Sequence, residues 1–373
     1  MYSTSRTLSC AAAAACALTL STPVNAQPAP AGKTAEQAFK NIQALQGTPA
    51  DQVLPAMQFI AASLGVECEF CHVEHKFEAD DKPAKATARK MIAMTLAINK
   101  DSFNGRKEVT CFTCHHANHD PVGTPPVLTS DAEPEHAEAA PAASSAAAPT
   151  ADQILEKYVS AVGGAEALHK ISSRVSKGNI TAMGHDAPIE VFAKAPDKRM
   201  SVTHMASGES ITAFDGQGGW LGNTGRAARE MSGQEAEAAR LDADFYFATH
   251  LKEIFTGFRV GRPDKIGDRP AFTLICMRQG QPPVRLYFDQ SSGLLLRQVR
   301  YTDTPIGRNP TQIDYADYRA VDGVQVAFRW TLARVNGRFT IQIQEAQQNV
   351  PIDDAKFAKP AATGGGDAKP STH

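Results

Sequence analysis

The sequence lacks a second long apolar run. After Leu8 to Leu20, no stretch approaches the roughly 20 apolar residues that a membrane-spanning helix requires. It also lacks an excess of either charge: 38 Lys and Arg stand against 40 Asp and Glu, a formal net charge of -2. That balance offers no basic face for nucleic acid, so partners of that class are not expected. There is no internal repeat. Nor is there the even, scattered set of cysteines that staples small exported domains. Of seven cysteines, Cys10 and Cys16 sit in the first apolar run, four form two tight pairs, and Cys276 stands alone in the strand-like stretch Phe272 to Met277. There a buried apolar role suits it.

The first apolar run is itself too short to span. Arg6 precedes it and the small-residue pattern Val24-Asn25-Ala26 follows, the layout of a secretory signal peptide cleaved after Ala26. Cys10 lies too early in that run to be a lipid-modified cysteine. The expected mature protein is exported, soluble and periplasmic.

What is present is a pair of Cys-x-x-Cys-His pentads, Cys68-Glu69-Phe70-Cys71-His72 and Cys111-Phe112-Thr113-Cys114-His115. Covalent haem attachment needs these residue types at this spacing: two thiols to take up two vinyl groups, and an imidazole next to them for the iron. The expectation is two covalently bound haem c groups, on Cys68 and Cys71 and on Cys111 and Cys114, with His72 and His115 as axial ligands. A four-thiolate zinc site is the competing reading, but it has no use for histidine directly after both pairs, and the interval between the pairs is long. Thioredoxin-like chemistry would need a βαβ setting that neither pair has.

The fold class expected is multidomain: a small all-α dihaem cytochrome c module followed by an antiparallel β domain, open and half-barrel-like, with a few helices. The bounds are 1–26 for the signal peptide, 27–119 for the haem module, 120–149 for an Ala/Pro-rich linker, 150–360 for the β-rich domain and 361–373 for a disordered tail. In the module, Thr34 with Gln37 caps a helix that Gly47 stops, Thr48-Pro49 opens a second that Gly65 ends, and a third runs from Lys85 to Asp101. So short a helical segment needs the haems as part of its core. After the linker, Thr150 caps a helix through Tyr158 that ends at Gly163-Gly164, and period-two alternation then dominates. Asp215-Gly216, Asp322-Gly323 and Asn336-Gly337 punctuate it, and a helical insertion spans Gln234 to Ile254.

Iron in an electron carrier takes a sixth ligand, and Met57 suits the first haem because its helix ends just before Cys68. For the second haem Met91 and Met94 both stand on the third helix, with Met94 the alternative to Met91. His119 ranks behind them, and His116 is committed beside His115. His75 and Glu74 belong to the surface.

Ala56-Met57 before Val66-Glu67 and the first pentad, Ala88-Arg89-Lys90-Met91-Ile92-Ala93-Met94 on the third helix, and Val109-Thr110 before the second pentad together resemble the cytochrome c subunit of photosynthetic reaction centres. In that family a ligand helix precedes each pentad, and the methionine of the Ala-Arg-basic-Met stretch ligates iron, which implies Met57 and Met91 here. The resemblance covers about residues 35–116. The family's subunit is a tandem of two such modules with four haems, whereas this chain has one. It also lacks a histidine between Asp101 and Val109, where the family supplies a further ligand. Photosynthesis is therefore not implied. The C-terminal part is fainter in its likeness: a helix followed by a long meander is similar to lipoprotein-carrier half-barrels of the bacterial envelope, with Phe192, Trp220, Phe245, Phe247, Trp330 and Phe339 either lining an apolar-ligand site or filling a core.

The expected function is electron transfer between periplasmic redox proteins; catalysis at iron is disfavoured rather than excluded, since histidine and methionine on each iron leave no open position. The β domain serves docking or binds a lipid or other apolar ligand. The alternatives are a dihaem peroxidase-like enzyme and an apolar-ligand carrier with a haem sensor module.

Overall fold

The computed structural model describes residues 32–121, 123, 149–182 and 184–360. The expected signal peptide, nearly all of the linker and the tail from 361 lie outside the described residues.

The N-terminal part is helical, with α1 (Ala35–Ala38), α2 (Val53–Leu64), α3 (Pro83–Phe103) and α4 (Cys111–His115). The expected capping contact is present, Thr34 N–H donating to Gln37 Oε1 at 3.0 Å. The helix it starts is nevertheless four residues long and does not reach Gly47. The cause is long-range. Phe39 turns extended, Asn41 adopts φ 59°, and the Asn41 amide donates to the Glu78 carbonyl at 2.5 Å and to Asp80 Oδ1 at 2.9 Å. Those bonds replace the intrahelical ones that the local sequence favours. Helix α2 follows a single 3-10 turn, Ala50–Gln52, after Pro49, and ends at Gly65 in the left-handed region. Helix α3 has Pro83 in its first turn and ends at Asn104, also left-handed.

The C-terminal part opens with α5 (Ala151–Ala161), whose Thr150–Gln153 capping box is complete, and α6 (Ala165–His169). Six strands follow: β1 (Ser173–Ala182), β2 (His185–Lys194), β3 (Lys198–Met205), β4 (Gly208–Asp215), β5 (Gly219–Asn223) and β6 (Arg226–Glu230). The helical insertion is two helices, α7 (Gly233–Ala243) and α8 (Phe247–Ile254). They part at Asp244, whose carboxylate accepts from Tyr246 N–H and His250 Nδ1, both at 3.0 Å. The remaining strands are β7 (Gly257–Val260), β8 (Asp264–Ile266), β9 (Arg269–Arg278), β10 (Gln281–Asp289), β11 (Leu295–Thr304), β12 (Gly307–Val321), β13 (Val324–Arg334) and β14 (Gly337–Gln348). All pair antiparallel in the order β6-β5-β4-β3-β2-β1-β14-β13-β12-β11-β10-β9-β7, with β8 on β9. β6 and β7 form separate edges, so the sheet is open, as the alternation and tight turns imply.

One face of the sheet carries the helices. Ile154, Leu155 and Tyr158 of α5 and Leu251 of α8 bury against Leu274, Cys276, Leu286, Val324 and Ile343. Cys276 is fully buried and its thiol is pushed up to about 12 by burial, the apolar role expected of it. Phe245, Phe247, Trp330 and Phe339 pack into this same core. Phe192 and Trp220 do not share that face. They form a row with Met200 and Ala213 across the opposite face, where Phe357 closes the cluster and its carbonyl accepts from Trp220 Nε1 at 2.8 Å. Strand register decides this, because neighbouring positions point to opposite faces and Val191 already points toward the helices.

The two parts touch through the turn between β11 and β12. Ile306, 1% exposed, joins the core made by Leu45, Ala56, Ile60, Ile92 and Cys111.

Candidate functional site

Helix α2 has two working faces. At 100° per residue, Leu54, Met57, Ile60 and Ala61 share one, and Pro55, Ala56 and Phe59 lie on the other. The first face forms a wall of an apolar cleft with about 1040 Å³ of free space, open mouth included. Lys85, Ala88, Arg89 and Ile92 of α3 form the facing wall, Ile42 to Leu45 close one end, and Val66, Glu67, Cys68, Cys71 and His72 line the rest. Met57, Cys68, Cys71 and His72 therefore converge on one cavity, although Met57 belongs to a different element from the pentad.

His72 Nδ1 lies 2.9 Å from the Phe77 carbonyl. A carbonyl can only accept, so Nδ1 carries a proton, and in the neutral ring the lone pair is on Nε2. His115 is held in the same way, its Nδ1 at 3.0 Å from the Asn118 carbonyl. A bond of this kind, from the ring nitrogen remote from a metal, fixes the orientation of a metal-binding imidazole. Both pentads possess it.

The second pentad forms α4, with Thr110 N–H donating to Thr113 Oγ1 at 3.0 Å. Cys111 is buried in the core that backs the first cleft, while Cys114 is exposed. On α3 the buried stripe is Lys85, Ile92, Thr95 and Asn99. Met91 lies about 100° from Ile92 on the Thr95 side, and Met94 about 160° away, nearly opposite. Their exposures follow, 38% and 46%. His119 and His116 pack on Phe70 and Phe112, and Glu74 with His75 forms a surface ion pair at 3.3 Å.

Three residues without an assigned part in the sequence reading build this region. Asn99, 5% exposed, accepts from Glu108 N–H and Val109 N–H at 3.0 Å and donates to the Val109 carbonyl at 2.6 Å, shaping the approach to Cys111. Asp80 pairs with Lys85 and Arg89 at 3.1 and 3.0 Å, clamping its loop onto α3. The bonds from Arg89, Asn41 and Lys85 hold its carboxyl well below the usual range. A signal for Lys85 existed: it lies seven residues before Ile92 on one helical stripe. Gly65 was expected as a helix stop, and it has a second reason. A Cβ there would stand 2.2 Å from the Ala117 carbonyl oxygen, and Ala117 N–H donates to Ser63 O at 2.9 Å. The end of α2 is thus stitched to the chain just beyond His115.

Exposure makes the missing surface visible. Among the described residues, nine large apolar side chains are exposed; Phe39, Leu54, Phe70, Phe77, Met91, Met94 and Phe112 lie in the helical part, and Met205 and Met277 in the sheet part. No three His, Cys, Asp or Glu side chains converge as a metal cluster among the described residues. The donor set fits a macrocycle instead: paired thiols, an imidazole with a free Nε2, and a thioether around an apolar cleft. That combination is the donor set that covalent haem c attachment uses.

The comparisons with known proteins agree. Residues 7–176 match the sequence family described as the photosynthetic reaction centre cytochrome C subunit. Cytochrome c-554 of Chloroflexus aurantiacus is 32% identical over 83 residues, 20% of this chain and 20% of that protein. The photosynthetic reaction center cytochrome c subunit of Roseobacter denitrificans is 35% identical over 99 residues, covering 23% of this chain and 26% of its own length. That of Thermochromatium tepidum is 28% identical over 102 residues, 26% of this chain and 25% of its length. The chain thus spans about a fifth to a quarter of the curated relatives it matches. Residues 7–176 are thus similar to the reaction centre cytochrome c subunits, a family that implies covalently bound haem c. Solved structures match the sheet part. A LolA superfamily protein from Nitrosomonas europaea has a TM-score of 0.39 at 15% identity, covering 57% of this chain and 99% of its own. A DUF1329 family protein from Desulfovibrio piger scores 0.40 at 11%, covering 56% and 96%. At scores below 0.5, nothing about ligand or partner follows from them. Among the described residues no helix is long and apolar enough to cross a membrane.

Proposed function

We propose that the protein is an exported electron carrier that holds two haem c groups, one at each pentad, and passes electrons between redox proteins of the periplasm. The observation that supports this most directly is the convergence of Met57, Cys68, Cys71 and His72 on one apolar cleft. When bound, haem supplies an iron that cycles between two oxidation states. Cys68 and Cys71 would anchor the macrocycle, His72 Nε2 and Met57 would ligate its iron, and Leu45, Ile60 and Ile92 would keep water from it. The methionine raises the potential relative to two histidines. At the second site Cys111 and Cys114 anchor, His115 ligates, and helix phase favours Met91 over Met94.

The sheet part carries the helical part on its β11–β12 turn, and docking is the role we assign to it. A groove between α5 and α8, lined by Leu155, Val159, Ala248 and Leu251, is where an apolar ligand is best sought. A peroxidase-like reading draws on the 38% exposure of Met91. Cyanide binding to the as-isolated protein at modest concentration supports it, and unchanged spectra remove it.

The test is pyridine haemochrome stoichiometry per chain together with Met57→Ala. The expected values are two haems per chain in both proteins, with one haem turned high-spin and lowered in potential in the variant. A stoichiometry near zero, or Met57→Ala with both spectra unchanged, overturns the assignment.

A further inference from the structure

One buried cation faces the first site without being a donor to it. Lys85 is 8% exposed, and its Nζ donates to the Phe77 carbonyl at 2.9 Å and the Ala79 carbonyl at 2.7 Å, with Asp80 Oδ1 at 3.1 Å. The Phe77 carbonyl is also the acceptor of His72 Nδ1–H, at 2.9 Å. Its oxygen has two lone pairs and serves both donors. They do not act independently, because an ammonium on one lone pair draws density from the other and weakens the second bond.

The strength of that bond sets how much electron density the imidazole passes on. A strong acceptor at Nδ1–H raises the basicity of Nε2, and a depleted one lowers it. His115 has no such neighbour: its acceptor is the Asn118 carbonyl at 3.0 Å, and among the described residues no Lys or Arg is hydrogen-bonded to that oxygen. The two pentads share a sequence pattern and a proximal hydrogen bond. They differ in what stands behind the acceptor.

We propose that Lys85 tunes the first haem: by sharing the Phe77 carbonyl with His72 it makes that histidine the weaker donor and raises the first haem's reduction potential, which His115 does not experience. This rests on the reading that His72 and Met57 ligate the first iron. The resulting asymmetry gives an electron a preferred resting place at the first haem. Asp80 moderates the effect, since its carboxylate offsets the Lys85 charge, and Arg89 and Asn41 hold it there at 3.0 and 2.9 Å.

The two partners predict opposite signs, which a merely structural role does not. Redox titration of the full holo-chain resolves two components, and Met57→Ala identifies the one that belongs to the first haem. Lys85→Gln keeps a hydrogen-bond donor and removes the charge; it should lower that component, leave the other in place, and move the ring ¹⁵N shifts of His72 but not His115. Asp80→Asn should raise the same component, and it tests the idea even where Lys85→Gln fails to fold. Both variants shifting the first haem in one direction, or Lys85→Gln shifting neither component, overturns the role of Lys85. If Met57→Ala moves one component while Lys85→Gln moves none, the tuning fails and the ligand assignment stands. If Met57→Ala moves none, the ligand assignment and the tuning built on it both fail.

Discussion

Truncating Ile306 to alanine should separate the stability of the helical part from that of the sheet. Ile306 sits at the β11–β12 turn, 1% exposed, inside a core whose other members all come from the helical part. Around it, Asn309 Nδ2 donates to the Pro55 carbonyl at 2.8 Å, Lys107 Nζ to the Thr304 carbonyl at 2.5 Å, and Gly307 leaves room for the Phe59 ring, which a Cβ would meet at 2.4 Å. Of these partners, Pro55 and Phe59 lie on the face of α2 opposite Met57. The substitution deletes three buried carbons, about 2.4 kcal/mol at ~0.8 kcal/mol each. The cavity left behind brings the expected cost into the range of about 2–5 kcal/mol. With a urea slope of about 2 kcal/mol/M, the helical part should unfold roughly 1–2.5 M earlier. Haem absorbance reports that part. Trp220 and Trp330 are the chain's two tryptophans and lie in the sheet part, so their fluorescence reports the sheet. The expected result is a haem transition that moves far more than the tryptophan transition. A haem midpoint that moves by less than the equivalent of about 0.5 kcal/mol would show that Ile306 contributes nothing to the junction, and equal movement of both would show a single cooperative unit.

Cys68→Ser should lower covalent haem from two per chain to about one, read by haemochrome assay of denatured protein, since each pentad holds its own group. Gly65→Ala places a side chain at φ 66° and 2.2 Å from the Ala117 oxygen, so it should cost more than the ~1–2 kcal/mol of the left-handed conformation alone, seen as a lower melting temperature. Acid should loosen the segment Asp353 to Phe357. Lys194 and then Lys198 hold the Asp354 carboxyl at about 2, below the ~3.9 of an unfolded chain, so its contribution is present above the unfolded value and is lost as pH falls through about 2. Amide exchange at Ala355 and Phe357 should quicken there while β9 and β10 stay protected, and Asp354→Asn should abolish that dependence.

Much of the molecule was legible before any coordinates. Thr48-Pro49 and Gly65 bracket α2, Thr150 with Gln153 starts α5, and Asp322-Gly323 turns β12 into β13, because each signal acts between residues a few positions apart. The same local rules misplaced the end of α1, where Asn41 is held by Glu78 and Asp80, residues more than thirty positions away. They also could not sort Phe192 and Trp220 from Phe245 and Trp330, since only strand register assigns a side chain to a face.

By itself, the sequence determined the chemistry that is local: two thiols and an imidazole within five residues require no fold to be read as a haem pentad, and Met57 became a candidate ligand because its helix ends just before Cys68. The tertiary structure alone decided that Met57, Cys68, Cys71 and His72 line one cleft, that Lys85 shares a carbonyl with His72, and that Ile306 from the sheet completes the core behind the helix bearing Met57. Those are contacts between segments 8 to more than 200 residues apart. No local propensity encodes them, because they form only when packing brings the segments together.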